Sequence, residues 1–217
     1  MNSINYIART GTNFPSTVRV PDDDTRVLKP GAWNRKLGAK VTKGAWASMP
    51  IYCLTLEERK TCPSTCENWA CCYGNHMPFA HRFEHGAELE DRLDTELAVL
   101  QLFHPRGFVV RLHVLGDFYS AEYVERWAEW LDRFPALHAY GYSAWLPDTA
   151  IGEALAEIHS DRFVVRTSGI DTKTVTDWSP DDRASGIRCP VQMDKAVSCG
   201  SCALCWSTDK VVIFKVH

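Results

Sequence analysis

The chain has 217 residues, 45% of them hydrophobic, and a formal net charge of −3. That length holds one sizeable core, or one domain with an extension. The N-terminus lacks the apolar stretch of a secretory signal and no run is long enough to cross a bilayer, so the expectation is a soluble, cytoplasmic protein.

The charge is unevenly spread. From Met1 to Ala45, eight Lys or Arg stand against three Asp. A basic arm on an acidic body suits an anionic partner, and the same charges suit a plain solvated surface. Residues 1–48 are rich in Gly, Pro and Thr, with isolated aromatics such as Phe14 and Trp33. They read as an irregular arm that wraps the body or is partly disordered. Arg35, Lys36, Lys40 and Lys43 beside Trp33 and Trp46 are the residue types that track phosphates and stack on bases, so nucleic acid or a nucleotide is a candidate partner.

The pattern then changes. "MPIYCLTL" (49–56) reads as a strand, and a cysteine-rich loop follows it. Leu89, Leu93, Leu97 and Leu100 recur at helical spacing and predict a helix over 86–103. "FVVRLHVLGDF" (108–118) is an apolar strand ending in Gly-Asp, with Ser120 as the N-cap of the next helix. That helix carries Val124, Trp127, Leu131 and Phe134. "LHAYGYSAW" (137–145) is a third strand. Asp148 or Thr149 caps a helix bearing Ile151, Leu155 and Ile158, and "RFVVRTSGI" (162–170) is a fourth strand.

Strands alternating with helices predict an α/β protein, either a partial (β/α) barrel or an open parallel sheet, with a C-terminal cysteine-rich metal-binding extension. The expected organisation is an arm (1–48), an α/β core (49–188) and a cysteine-rich segment (189–217). In either architecture functional groups gather at the carboxyl ends of the strands. The cysteine loop, Asp117, Ser143, Thr167 and Ser168 all fall on that rim. Side-chain alternation puts Val110, Leu112 and Val114 on one face of the second strand and Arg111, His113 and Asp117 on the other. Such a polar face needs a ligand or paired partners, and a satisfied Arg–Asp pair in the core meets the same need.

Nine cysteines in a reducing compartment favour metal over disulfides. "CPSTCENWACCY" (62–73) offers Cys62, Cys66 and one of Cys71 and Cys72, because the side chains of adjacent cysteines diverge. Three thiolates suggest a cluster with one open position. Cys189 with Cys199, Cys202 and Cys205 of "CGSCALC" supplies four, a closed site. Two successive CxxC steps in one short loop resemble the bacterial ferredoxin run and favour iron–sulfur there, with zinc as the competitor.

The combination resembles the radical S-adenosylmethionine (SAM) enzymes. The nearest likeness is a group of small bacteriophage-encoded proteins with this cysteine loop, a strand ending in Gly-Asp-Phe and a C-terminal CxxCxxCW, matched here by "CALCW" (202–206). The resemblance covers about residues 49–217. It implies a [4Fe–4S] cluster on three cysteines of the loop, with SAM on the fourth iron, and a reaction in which one electron cleaves SAM to start hydrogen abstraction. Asp117 then takes the place of the family's SAM-binding Glu, and Gly116 gives close backbone approach. Arg166, Thr167 and Ser168 fall near the ribose and carboxylate, while His113, Tyr142 and Trp145 line the cavity. Cofactor-binding candidates are therefore His113, Gly116, Asp117, Ser143, Arg166 and Ser168. The implied cofactors are one or two [4Fe–4S] clusters and SAM, and an electron donor is an implied partner. The family's usual spacing is CxxxCxxC; here only Cys62 and Cys66 keep the first gap. Two other functions fit the same residues: a metal-stabilised nucleic-acid-binding protein, and a redox protein without SAM chemistry.

Overall fold

The computed structural model describes residues 11–169, 174–175 and 186–215. The first ten residues of the expected arm, Ile170 at the end of the expected fourth strand, and 216–217 lie outside the described residues.

In chain order the strands and helices are β1 (Val18–Arg19), β2 (Lys29–Pro30), β3 (Ile51–Cys53), β4 (Arg82–Phe83), α1 (Ala87–Phe103), β5 (Phe108–Arg111), α2 (Ala121–Arg133), β6 (Leu137–Ser143), α3 (Ala150–Glu157), β7 (Phe163–Thr167), β8 (Thr174–Val175), β9 (Ile187–Arg188), α4 (Cys199–Cys202) and β10 (Val212–Ile213). Among the described residues the main sheet has five strands in the order β2-β3-β5-β6-β7. From β3 to β7 every pairing is parallel, and β2 joins antiparallel at one end. The four strands expected from the sequence are thus neighbours in chain order, joined by α1, α2 and α3. The α/β class holds. Two of the strands are shorter than the apolar runs that announced them, because β3 stops at Cys53 and β5 at Arg111.

Each helix forms for a local reason. In α1, Leu89, Leu93 and Leu97 make one fully buried stripe. The Ser120 hydroxyl accepts from the Tyr123 amide at 3.1 Å and starts α2. At α3 the cap is Thr149, whose hydroxyl accepts from the Gly152 amide at 3.1 Å. These helices cover one face of the sheet. There Phe108, Val110, Leu112 and Ala139 join Val124, Trp127, Leu131 and Phe134 in the larger core cluster.

The opposite face is covered differently. Ile51, Cys53, Val109 and Tyr140 pack against Leu37, Val41 and Trp46 of the arm and Cys205 of the C-terminal segment. Trp46 stacks on Trp206, with ring centroids 5.2 Å apart and planes at 6°. The Val27 and Leu28 amides donate to the two carboxylate oxygens of Glu96 on α1, at 2.7 and 2.9 Å. With β1 paired to β4 and Thr12 and Thr17 bonded to Glu58 and Arg82, the described part of the arm belongs to the folded body. Its buried apolar residues are spaced irregularly, so no periodic signal announced them. No helix among the described residues is long and apolar enough to cross a membrane.

Candidate functional site

A cavity of about 440 Å³ opens at the carboxyl ends of the parallel strands, where both cysteine segments meet. Cys62, Cys66, Cys71 and Cys72 line it from one side, and Cys189, Cys199, Cys202 and Cys205 from the other. Of the cofactor-binding candidates, His113, Gly116, Asp117, Ser143 and Ser168 line it as well.

The first cysteine loop is fixed at its root. Arg82 on β4 is fully buried and forks onto Glu58, with Nε 2.6 Å from Oε2 and Nη2 3.1 Å from Oε1. It also donates to the carbonyls of Gly74, Met77 and Ala80, so the loop folds around one guanidinium. Arg59 donates to the Trp69 carbonyl and to the Asn75 side chain. Its φ of 66° turns the chain into the loop. Thr61 accepts from the Asp117 amide at 3.0 Å and ties the loop to the end of the second strand run. None of Glu58, Arg59, Thr61 and Arg82 stood out in the sequence, because buried pairs distant in sequence leave no periodic trace.

Within the loop the adjacent pair separates. Cys71 is exposed, its sulfur 3.7 Å from Asn68 Oδ1. Cys72 turns inward. Burial first, and then the nearby Asp117, Cys66 and Cys72, hold the Cys62 thiol far above its ordinary range. The Cys66 and Cys72 thiols are also raised, chiefly by burial. Three thiols thus resist ionisation together, and a cation among them reverses that balance. Among the described residues no three His, Cys, Asp or Glu side chains converge closely enough to hold a single metal ion.

The second segment is docked by its backbone. α4 begins with a capping box between Ser198 and Ser201. The amides of Cys199 and Gly200 donate to the carbonyls of Lys36 and Leu37 in the arm, at 2.7 and 2.9 Å. A side chain at Gly200 would collide with the Lys40 carbonyl, so only glycine permits that approach. Burial pushes the Cys205 thiol up to about 12 and raises Cys199, whose shift the Arg111 charge partly offsets.

Asp117 sits between loop and sheet, 3% exposed. Its Oδ1 accepts from the Phe118 amide at 2.8 Å and its Oδ2 from the Ala144 amide at 2.7 Å. Burial lifts its carboxyl to about 7 against the pull of those amides, Ser143 and Arg111. Gly116, at φ 79°, presses against Leu56 and Thr61, which leaves no room for a side chain. Ser143 and Ser168 are joined through their backbones, the Ser168 amide donating to the Ser143 carbonyl at 2.7 Å.

Four placements differ from the sequence expectation: those of His113, Val114, Arg166 and Trp145. Strand alternation ends at His113, where a φ of 49° rotates the ring into the helix-side core. It lies edge-on to Phe118 at 4.5 Å, and burial lowers its pKa to about 3. Arg111 and His113 therefore do not share one polar face, and Val114 packs on the opposite side with Val109 and Tyr140. Arg166 is outside the cavity wall; it donates to the carbonyls of Thr208 and Lys210 at 2.8 and 2.5 Å and holds the C-terminal segment. Trp145 packs on the larger core cluster, its indole donating to the Phe118 carbonyl at 2.7 Å, whereas Tyr142 does line the cavity.

Fold and site together define an α/β protein with a cysteine-walled cavity at the carboxyl end of its parallel strands. The family model described as "GP88: Gene product 88" matches residues 27–208, and the chain belongs to that family. The matched span starts in the arm and ends just past the last cysteine, so it takes in both cysteine segments and the sheet between them. Comparison with curated proteins and with solved structures gave no match to either.

Proposed function

We propose that this chain is an iron–sulfur protein of the radical-SAM type, with Cys62, Cys66 and Cys72 holding a [4Fe–4S] cluster that faces the cavity. The observation that carries the reading is that these three thiols line one cavity together with a buried carboxylate, Asp117, at the carboxyl end of a parallel sheet. Consecutive parallel strands with helices on one face support taking the main sheet as part of a (β/α) barrel whose inner face is the one bearing the cavity. The family's gene-product name agrees with a bacteriophage origin. Cys189, Cys199, Cys202 and Cys205 hold a second, closed cluster, with zinc as the alternative metal.

Bound in this cavity, the cluster and SAM supply one-electron chemistry that begins with SAM cleavage. The chain's own residues bind and exclude. Asp117, already aimed by two amides, receives the SAM ammonium through a charge-assisted bond. Gly116 lets the end of the strand run pack against Leu56 and Thr61, which sets Asp117 at the cavity. The walls of the cavity keep water from the reacting groups. Arg166 acts from below by holding the C-terminal segment, not by touching cofactor.

Replacing Asp117 with Asn removes the charge and leaves one of the Phe118 and Ala144 amides without its acceptor, so unfolding is measured alongside binding. The iron-loaded variant is expected to keep its fold and iron, and to bind SAM more weakly by about 1.5–3 kcal/mol in anaerobic calorimetry. Wild-type protein with intact cluster and no SAM binding would remove the enzyme from this proposal.

A second reading is favoured by a separate observation. Arg35, Lys36, Lys40 and Lys43 are all exposed, beside an exposed Trp33. This basic strip suits a nucleic-acid or nucleotide partner. Trp46 is buried against Trp206 and takes no part in it.

A further inference from the structure

We propose that the cavity binds, on Arg111 and Tyr140, the carboxylate or phosphate group of a small organic substrate distinct from SAM. The inference needs the cavity and not the SAM chemistry, so it survives or fails separately.

Among the described residues the buried arginines are committed, and only the half-buried Arg111 stands apart. Arg82 is spent on Glu58 and loop carbonyls, Arg59 on Trp69 and Asn75, and Arg166 on C-terminal carbonyls. Arg111 is the exception. Its Nη1 donates to the Leu112 carbonyl, with the His113 carbonyl at 3.5 Å. Among the described residues its Nε and Nη2 have no hydrogen-bond acceptor, and no carboxylate lies within ion-pair distance. The guanidinium lies over the ring of Tyr142, 4.7 Å from its centroid, and 5.6 Å from that of Tyr140. This stacking leaves the guanidinium edge as a planar fork, the geometry that takes two oxygens of one oxyanion.

Tyr140 supplies the second, independent sign. It lines the same cavity at 1% exposure, and its hydroxyl is buried without a hydrogen-bond partner. An unmet hydroxyl beside an unpaired cation is costly in both cases, and one oxyanion relieves both. The walls around them are aromatic, with Tyr142 edge-on to Phe214 at 5.4 Å. They suit a flat apolar body attached to the anion. The cavity of about 440 Å³ is also the place proposed for cluster and SAM, so what remains suits a small molecule and not a polymer segment. Arg111 acts on both Cys199 and Asp117, so the anion seat adjoins that of the SAM ammonium, and competition with SAM decides whether the two seats are distinct.

The test is calorimetry on the anaerobically purified, metal-loaded chain with three probes: phenyl phosphate, benzoate and the neutral benzyl alcohol. At least one anion is expected to bind saturably, with the alcohol weaker by at least about tenfold. The tighter of the two anions tells phosphate from carboxylate. Arg111→Met is expected to weaken that anion by about tenfold or more. Tyr140→Phe, which keeps the ring and removes only the hydroxyl, is expected to weaken it several-fold, and it guards against misfolding of the arginine variant. The proposal is overturned if neither anion saturates, if the alcohol binds equally well, or if Tyr140→Phe binds as wild type. Competition between saturating SAM and the anion would also overturn it, by making this the seat of the SAM carboxylate. Loss of SAM binding alone, with the anion still bound, breaks the reading of the previous section and leaves this one standing.

Discussion

The two cysteine segments face one cavity but are held by unlike forces. The loop from Cys62 to Ala80 is wound around a buried ion pair, with Arg82 and Glu58 at 0% and 1% exposure. The segment from Cys199 to Lys210 is pinned by backbone hydrogen bonds to Lys36, Leu37 and Thr42 and by Arg166 beneath its carbonyls. One is a loop with a single charged hub. The other is a short helical turn laid against an arm, with its grip spread over several backbone bonds and one guanidinium. A charged hub fails all at once when half of it is removed, whereas a spread grip loosens by degrees.

That contrast can be broken at its stronger end first. Glu58→Gln leaves Arg82 buried with no counter-charge, and global stability is expected to fall by about 3–5 kcal/mol in urea unfolding. A loss below about 1 kcal/mol would show that the hub's carbonyl bonds alone carry the loop.

The weaker end is probed at Arg166. Arg166→Met removes donors to Thr208 and Lys210, with an expected loss of about 1–3 kcal/mol. Hydrogen exchange should rise in residues 199–215 and stay unchanged around Cys62 to Ala80. Equal rises in both segments would mean that they are one cooperative unit.

The third effect is small near neutral pH, grows on acidification and lies in the sheet between the segments. His113 is buried neutral, its pKa lowered to about 3 by burial and then by Arg111. The unfolded chain takes up its proton near pH 6.5, so the native state loses stability as pH falls from about 6.5 toward 3. The slope contributed is at most about 1.4 kcal/mol per pH unit. Asp117, raised to about 7, works in the opposite sense, favouring the folded state as pH falls through 7 toward 3.8. Unfolding curves of His113→Asn and wild type across this range should therefore diverge, the variant losing less stability on acidification. Parallel curves would place the titrating group elsewhere.

Much of the scaffold was legible. Leucines at helical spacing located α1, Ser120 announced α2, and the alternation of strands and helices gave a parallel sheet in chain order. The rim was legible too, because strand ends collect function wherever a parallel sheet forms. The sequence did not reveal how the rim is held. Glu58 and Arg82 are separated by 24 positions, and no periodicity links them. Alternation misplaced His113, because one left-handed residue ends the two-residue period. The arm's role was hidden for a related reason: Leu37, Val41 and Trp46 bury through irregular backbone, where neither strand nor helix spacing marks the inward side. The different exposure of Cys71 and Cys72 needed coordinates, since adjacent residues differ in direction and not in chemistry.

The most direct test of two separately held clusters on one cavity is an iron and sulfide count on anaerobically reconstituted protein, made on wild type and on three single variants. About eight irons are expected in wild type, with about four in Cys72→Ala, about four in Cys199→Ala, and the wild-type count in Cys71→Ala. A wild-type protein without iron, or a single variant that empties both sites, would contradict the account.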